Sequence, residues 1–127
     1  GVICLYRAQA ALVRRLLGNA SSGDAGDAGC GDVPVSTVDA FQGEERDVIV
    51  LSVARTAQLG FSDSPKRLNV AVTRARRHLI VVGHQGLLSR NAAWRALLQP
   101  ALDAAPAGVQ DCSAIISEQA FALLPPQ

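Results

Sequence analysis

Basic side chains are concentrated between Lys66 and Arg77, where five of the twelve Lys and Arg residues fall and no acidic residue occurs. At about 100° per residue of a helix, Arg67 and Arg74 lie almost one above the other, beside an apolar face. A guanidinium binds phosphate oxygens in a bidentate manner, and an arginine directed at a γ-phosphate can stabilise phosphoryl transfer. The stretch therefore indicates either an anion site or a solvated basic face of a helix.

Acidic side chains form a second cluster upstream. Gln42 and Gly43 follow a short apolar run, and Glu44, Glu45 and Asp47 come just after them. A glycine in a tight turn lets the backbone approach a ligand closely. A carboxylate such as that of Glu45 can accept hydrogen bonds from a sugar hydroxyl. The alternative is an ordinary acidic turn, and neither cluster decides between these interpretations on its own.

Alternating strands and helices must position both clusters. Apolar, β-branched runs predict strands over residues 2–6, 35–38, 47–53 and 78–83. Helical spacing predicts helices over residues 8–17, from Pro65 through Ala75, and over residues 87–98 with an end near Pro100. This order implies a parallel sheet with right-handed crossovers. Because ligands of such sheets bind at the carboxyl ends of the strands, the loops after Tyr6, Thr37 and Val53 are expected to form the site.

The composition excludes several classes of protein. The 127 residues, 49% of them hydrophobic, suffice for one packed domain, and a net charge of +1 excludes a nucleic-acid binder of the histone type. No apolar run reaches the roughly 18 residues of a membrane span, and the apolar start lacks the charged region of a signal peptide. Three widely separated cysteines favour a reducing compartment. No Cys or His pair has the spacing of zinc ligands.

The chain is predicted to hold one main domain, at residues 1–99. A flexible insert at residues 18–32, with five of the eleven glycines, interrupts it. Residues 100–127 form an extension of unassigned structure, whose apolar residues, such as Ile115 and Ile116, either dock a last helix or strand or belong to a linker. The apolar start of the chain suggests that it is cut from a longer protein.

Taken together and in order, the two clusters resemble motifs V and VI of superfamily-one helicases. The run from Ser36 to Asp47 followed by the run from Lys66 to Arg76 is similar to "VDAFQG-x-E" followed by "RLNVALTRAR" in the 5′→3′ branch, which contains the nonsense-decay helicase and senataxin. Val72 replaces the usual Leu. The first nine residues resemble "GVITPY-x-x-Q" of the same family, with Cys-Leu in place of Thr-Pro.

The resemblance covers roughly residues 1–95, apart from the insert, and is nearest in look to the helicase that carries a GRF-type zinc finger. It implies an α/β fold of the RecA-like (P-loop NTPase) type, a parallel sheet flanked by helices. The family motor has two RecA-like domains with ATP bound between them. This chain resembles the second, the C-terminal half of that two-domain core.

The resemblance also implies roles for single residues. Arg74 falls on the arginine that reaches the γ-phosphate, and Glu45 on the acid associated with the ribose. Gly43, Gln42 and Arg67 are assigned with Glu45 to nucleotide binding.

Thr37, Val38 and Asp39 fall where motif V approaches the nucleic-acid backbone, and Arg76 is assigned to the same group. For Arg76 and Arg77, a surface or structural salt bridge stays open as the alternative.

The implied cofactors are ATP and Mg²⁺, both held mainly by an upstream RecA-like domain. The chain contains no G-x-x-x-x-G-K-[ST] sequence, so alone it is expected not to hydrolyse ATP. The implied partners are single-stranded DNA or RNA and that upstream domain, without a membrane, in the nucleus or cytoplasm. The alternatives are a non-enzymatic helicase remnant that binds nucleic acid and a plain interaction domain.

Overall fold

The computed structural model describes residues 1–20, 33–41, 43–55, 57–60, 64–104 and 114–117. The strands are β1 (Val2–Cys4), β2 (Val35–Thr37), β3 (Arg46–Ser52), β4 (Ala75–Val82) and β5 (Ala114–Ser117). The helices are α1 (Arg7–Ala20), α2 (Pro65–Val72), α3 (Gln85–Leu88) and α4 (Ala92–Ala104). Each of the four predicted strands and three predicted helices therefore corresponds to at least one element, with shifted ends.

The five strands form one sheet in the order β2-β1-β3-β4-β5. β1 pairs in parallel with β2 on one side and with β3 on the other, and β3 pairs in parallel with β4. β5 is antiparallel to β4 and places Ile116 opposite Leu79. The predicted α/β class with a parallel sheet is confirmed, and the segment around Ile115 and Ile116 forms a strand.

Helices cover both faces of the sheet. Ile49 and Leu79 from the strands and Trp94 from α4 are at most 1% exposed and belong to the larger of two hydrophobic clusters. Successive residues of a strand point to opposite faces. Ile3 joins the larger cluster, to which α2 and α4 contribute, whereas Cys4 joins the smaller cluster under α1. The sheet is therefore the middle layer of three.

The C-terminal end of α2 differs from the prediction. The helical spacing places Ala75 on the core face of the helix, but α2 ends at Val72 and Ala75 is the first residue of β4. Thr73 caps the helix, because its N–H and its hydroxyl both donate to carbonyl groups of the last helical turn. Ala75 is buried as expected, but in a strand. Arg76 and Arg77 consequently lie at the start of β4 and not on the helix.

The predicted helix over residues 87–98 is two helices. His84 accepts a hydrogen bond from the Leu87 N–H through Nδ1 at the start of α3, and Asn91 accepts two through Oδ1 at the start of α4. The predicted end near Pro100 is wrong, since α4 continues to Ala104. A proline removes one hydrogen bond from a helix interior. Here apolar residues on both sides of Pro100 pack against the core and offset that loss.

Parts of the predictions lie outside the described residues. The predicted insert includes the end of α1, and its remaining residues, 21–32, are not described. The division at residue 99 stays a prediction. Among the residues that the structure does describe, no helix combines the length and the apolar character needed to cross a bilayer.

Burial along β4 predicts a sharp difference between two truncations. Leu79 is 0% exposed and Val82 is 49% exposed. Leu79→Ala leaves a cavity and is expected to lower the free energy of unfolding by about 2–5 kcal/mol. Val82→Ala, the control in the same strand, should cost less than about 1 kcal/mol. Urea denaturation of both variants measures the difference, and equal losses would contradict the described core.

Candidate functional site

The connection from β2 to β3 organises the site. These two strands are parallel to β1 and lie on either side of it, so the chain must return from the end of one to the start of the other. We call residues 38–45 the crossing segment; within it, the predicted nucleotide residue Gln42 lies outside the described residues. Val38 and Phe41 are buried and fix the segment to the core. The crossing segment therefore runs from the edge of the sheet where β2 ends to the edge where β3 begins.

The two edges hold different residues. At the carboxyl edge, where β1 and β2 end, lie Thr37 and the start of the crossing segment. At the amino edge, where β3 and β4 begin, the Arg46 N–H donates to the Arg74 carbonyl oxygen at 2.9 Å. The candidate residues are therefore divided between the two edges, and the loops at the carboxyl edge hold only some of them. Gly43, Glu45 and Arg74 lie at the amino edge, because the crossing segment carries the acidic turn there.

Gly43 forms the turn at the amino edge. Its φ is +85°, in the left-handed region that side chains disfavour. The Glu44 N–H donates to the Phe41 carbonyl oxygen at 3.2 Å and closes the turn. The tight turn predicted at Gly43 is thus present, and it exposes the side chains of Glu44 and Glu45.

Arg74 lies in the short connection between α2 and β4, and its guanidinium is held from three sides. Nε donates to the Val70 carbonyl oxygen at 3.1 Å, Nη1 to the Glu44 carbonyl oxygen at 3.3 Å, and Nη2 to the Thr73 hydroxyl at 3.2 Å. All three acceptors are neutral. Within the described part of the chain, no carboxylate lies within ion-pair distance of Arg74, so its charge is positioned but not neutralised.

Neighbouring arginines at the amino edge are paired with acids. Arg76 approaches Glu45 at 3.6 Å and Asp47 at 3.9 Å, and Arg77 approaches Asp47 at 3.9 Å. Arg46 and Glu44 form a further pair at 3.0 Å. These side chains are 44–71% exposed, so each pair contributes little to stability.

Two predicted residues therefore stand beside members of the other predicted group. Arg76, assigned to the nucleic acid, lies beside Glu45 at the amino edge. The carboxyl end of β4, at Val82, is about 20 Å away, because a strand rises about 3.3 Å per residue. Arg67, assigned to the nucleotide, contacts Asp39 at the carboxyl edge at 3.5 Å. The grouping of these two arginines differs from the geometry, because Arg76 belongs to a strand and Arg67 to the first turns of α2.

A cleft of about 800 Å³ opens at the carboxyl edge. Thr37, Val38 and Asp39 form one wall together with Arg67, and residues around the start of α1 form the other. The three residues predicted to approach a nucleic-acid backbone thus line one concave surface.

The sequence analysis did not single out Arg7, Arg14 and Thr73 as candidate site residues. The first two line the cleft, with Ala10 between them. Their signal in the sequence is the i, i+3, i+7 spacing of one helix face. The helical wheel directs Thr73 away from Arg74, yet the two side chains are bonded, because Thr73 lies beyond the last helical residue.

The fold and the site define the class of protein, an α/β domain of the RecA-like type with motif residues at both ends of one crossing segment. A family model described as "AAA domain" matches residues 1–86. The chain belongs to this family, within the superfamily-one helicase group that includes the nonsense-decay helicase. The resemblance in the sequence is therefore confirmed.

Three relatives illustrate the match. The 5′-3′ DNA helicase ZGRF1 of Mus musculus is 48% identical over 99 residues, which are 78% of this chain and 5% of that protein. An uncharacterized ATP-dependent helicase of Methanocaldococcus jannaschii is 39% identical over 98 residues, 77% of this chain and 13% of that protein. A regulator of nonsense transcripts 1 homolog of Arabidopsis thaliana is 43% identical over 70 residues, 53% of this chain and 6% of that protein. The chain thus spans a small part of each relative.

Replacement of glycine by alanine is expected to have opposite effects on stability at two positions. Gly43→Ala forces a side chain into the left-handed region and should lower the free energy of unfolding by about 1–2 kcal/mol. Gly18→Ala, the control within α1, meets no atom within 4 Å and should raise it by about 0.5–1 kcal/mol. Thermal unfolding of both variants distinguishes the signs, and a stabilising Gly43→Ala would contradict the turn.

Proposed function

We propose that the chain is the C-terminal motor domain of an ATP-dependent 5′→3′ helicase acting on DNA or RNA. In this proposal it supplies an arginine finger to ATP and backbone contacts to a nucleic-acid strand. The carrying observation is the guanidinium of Arg74, which is fixed by three neutral acceptors and faces no described carboxylate. The names of relatives that include DNA helicase and ATP-dependent helicase support the same activity.

The hydrogen bonds of Arg74 leave capacity for an anion. A guanidinium has five N–H donors. The three bonds to Val70, Glu44 and Thr73 use the single Nε donor and one donor on each terminal nitrogen. One donor remains on each of Nη1 and Nη2, which suits bidentate binding of a phosphate group. Because the side chain is already positioned, little conformational entropy is lost when the phosphate binds.

The other arginines of the basic stretch support this choice by contrast. Arg67, Arg76 and Arg77 each contact at least one carboxylate. A phosphate that approached them would compete with those acids, whereas at Arg74 it would meet a positive charge that no described carboxylate neutralises. Charge-assisted bonds of this kind are about twice as strong as neutral ones.

Glu45 is suited to the ribose role that we propose for it. Its Oε2 lies 3.6 Å from Arg76, and its side chain is 51% exposed, so the carboxylate retains capacity to accept a hydroxyl hydrogen bond. The preceding carbonyl, that of Glu44, holds Arg74. One turn would thus present the ribose contact and position the γ-phosphate contact.

The crossing segment gives the proposed motor its coupling. Its amino-edge end would respond to the γ-phosphate through Arg74, and its carboxyl-edge end begins beside Thr37 and Asp39 in the cleft. Buried Val38 and Phe41 connect the two ends. Release of phosphate would remove the charge-assisted bonds at one end and change the grip on the strand at the other.

The rest of the catalytic pocket would come from an upstream RecA-like domain. The protein would act inside the cell, in the nucleus or cytoplasm. Bound Mg²⁺ would neutralise charge on the phosphates there. In the described residues, no three His, Cys, Asp or Glu side chains are grouped as metal ligands. Because the sequence contains no G-x-x-x-x-G-K-[ST] motif to cradle the triphosphate, we propose that this chain alone does not hydrolyse ATP.

Arg74→Ala tests the arginine finger in the longer protein that joins this chain to its upstream domain. We expect the turnover number for ATP to fall at least about 10³-fold, because the transition-state charge loses its partner. Nucleotide affinity should change little. Arg77→Ala, which removes a neighbouring exposed arginine, is the control and should leave turnover within about twofold. Steady-state ATPase kinetics give both values, and full turnover of Arg74→Ala would refute the finger role.

Glu45→Ala tests the ribose contact. The loss of a charged hydrogen-bond acceptor should weaken nucleotide binding by about tenfold, as measured by titration with a fluorescent ATP analogue. Glu44→Ala is the matched control, since it removes the adjacent carboxylate but keeps the carbonyl that holds Arg74. Equal affinities in the two variants would argue against a ribose contact by Glu45.

A further inference from the structure

The cleft at the carboxyl edge carries more positive charge than its own acids neutralise. Among the residues that the structure describes, three arginines line it, Arg7, Arg14 and Arg67, against a single carboxylate, Asp39. That carboxylate contacts Arg67 at 3.5 Å. No described carboxylate lies within ion-pair distance of Arg7 or Arg14. Two cations on the wall formed by α1 therefore face the cleft without a counterion among the described residues.

Arg7 and Arg14 lie on one face of α1, two turns apart. At 1.5 Å per residue their backbones are separated by about 10 Å along the helix axis. Ala10 lies between them, and its small side chain leaves the space between the two guanidinium groups open. The wall thus offers two separate positive charges along one direction.

The structure positions Arg14 more firmly than a surface arginine. Its Nε donates to the Val35 carbonyl oxygen at 2.8 Å, which holds the side chain across β2 and leaves the terminal nitrogens without a described partner. Its positive charge also reaches the adjacent buried thiol: burial raises the pKa of Cys4, and the charge of Arg14 opposes that rise. The guanidinium is therefore anchored at one end and free to bind an anion at the other.

We propose that Arg7 and Arg14 bind two phosphates of one nucleic-acid strand lying in this cleft, opposite Thr37 and Asp39. A strand carries regularly repeated charges, which matches two arginines whose backbones lie about 10 Å apart along a helix better than a nucleotide with its charges at one end. Leu5 and Tyr6 also line the cleft, are partly exposed and offer apolar surface to sugars and bases. The proposal extends the strand path of the proposed function to two residues outside motifs V and VI.

Salt-dependent binding of a labelled oligothymidylate about 20 nucleotides long tests this contact. The protein is the full chain with its upstream domain, without ATP, and fluorescence anisotropy is recorded from about 50 to 200 mM salt. Each phosphate contact on a single strand contributes about 0.7 to the slope of log K against log salt. The double variant Arg7→Gln/Arg14→Gln should reduce the magnitude of that slope by about 1.4. It should also weaken binding by about two- to fivefold per arginine.

Two further variants separate the contact from general charge and from misfolding. Arg15→Gln removes a neighbouring exposed arginine that does not line the cleft, and it should change the slope by less than half as much as Arg14→Gln. Arg14→Lys keeps the charge and should retain most of the slope. Circular dichroism spectra that match the wild-type spectrum establish that the variants are folded.

The outcomes distinguish this inference from the proposed motor role. If Arg7→Gln/Arg14→Gln binds the strand like Arg15→Gln, the inference is overturned, whatever the ATPase activity of the Arg74 variant. If the double variant instead loses affinity for ATP and keeps its affinity for the strand, the cleft binds the nucleotide and the inference is likewise overturned. A lowered slope beside an active Arg74→Ala would support the strand contact and reject the arginine finger.

Discussion

The parallel pairing of β2 and β3 on opposite sides of β1 is the constraint on which the site depends. It forces eight residues to cross the sheet without a helix, held down by Val38 and Phe41. The arginines of the proposed ATP site and of the motif V contacts, Arg74 and Arg67, are both attached to that crossing. Its first residues meet Arg67 at one edge of the sheet, and its last residues hold Arg74 at the other edge. A short connection that two buried side chains hold to the core has little freedom to move one end independently of the other.

The distribution of counterions divides the arginines into two kinds. Those at the start of β4 neutralise the acids of β3 and so satisfy the charges of adjacent strands. Arg74 and Arg14 donate hydrogen bonds to neutral backbone or hydroxyl groups, and Arg7 has no partner among the described residues. The charges of these arginines stay available. The phosphate contacts that we propose are all made by arginines of the second kind. Proximity in sequence does not separate the two kinds, because Arg74 and Arg76 are two residues apart.

Much of the architecture could be predicted from the sequence because buried parallel strands are continuous apolar runs, and 47–53 and 78–83 are such runs. The end of α2 could not, because Ala75 is apolar and small enough to suit a helix or a strand, and the periodicity does not reveal that Thr73 is the C-cap. The split between α3 and α4 depends on the side chain of Asn91, whose capping bonds need a turn that periodicity does not reveal.

The candidate residues could be named from the sequence, but their grouping in space could not. Linear order places Arg67 with Arg74, yet the helix between them spans the sheet from one edge to the other, so they serve different ends of the crossing segment. Likewise, the acidic and basic side chains at the starts of β3 and β4 become neighbours only through strand pairing. Such contacts depend on register, which the sequence of one strand does not contain.

The two outer strands of the sheet, β2 and β5, have a consequence for solubility. Exposed edge strands are templates for pairing between molecules. β5 covers the outer side of β4 along Leu79 to Val81, and the opposite edge strand, β2, is only three residues long. The Pro34 carbonyl bonds β1, so the Val35 carbonyl faces outward, where Arg14 binds it. A protein shortened before β5 would leave the hydrogen-bonding groups of β4 open to a second molecule, and self-association would follow.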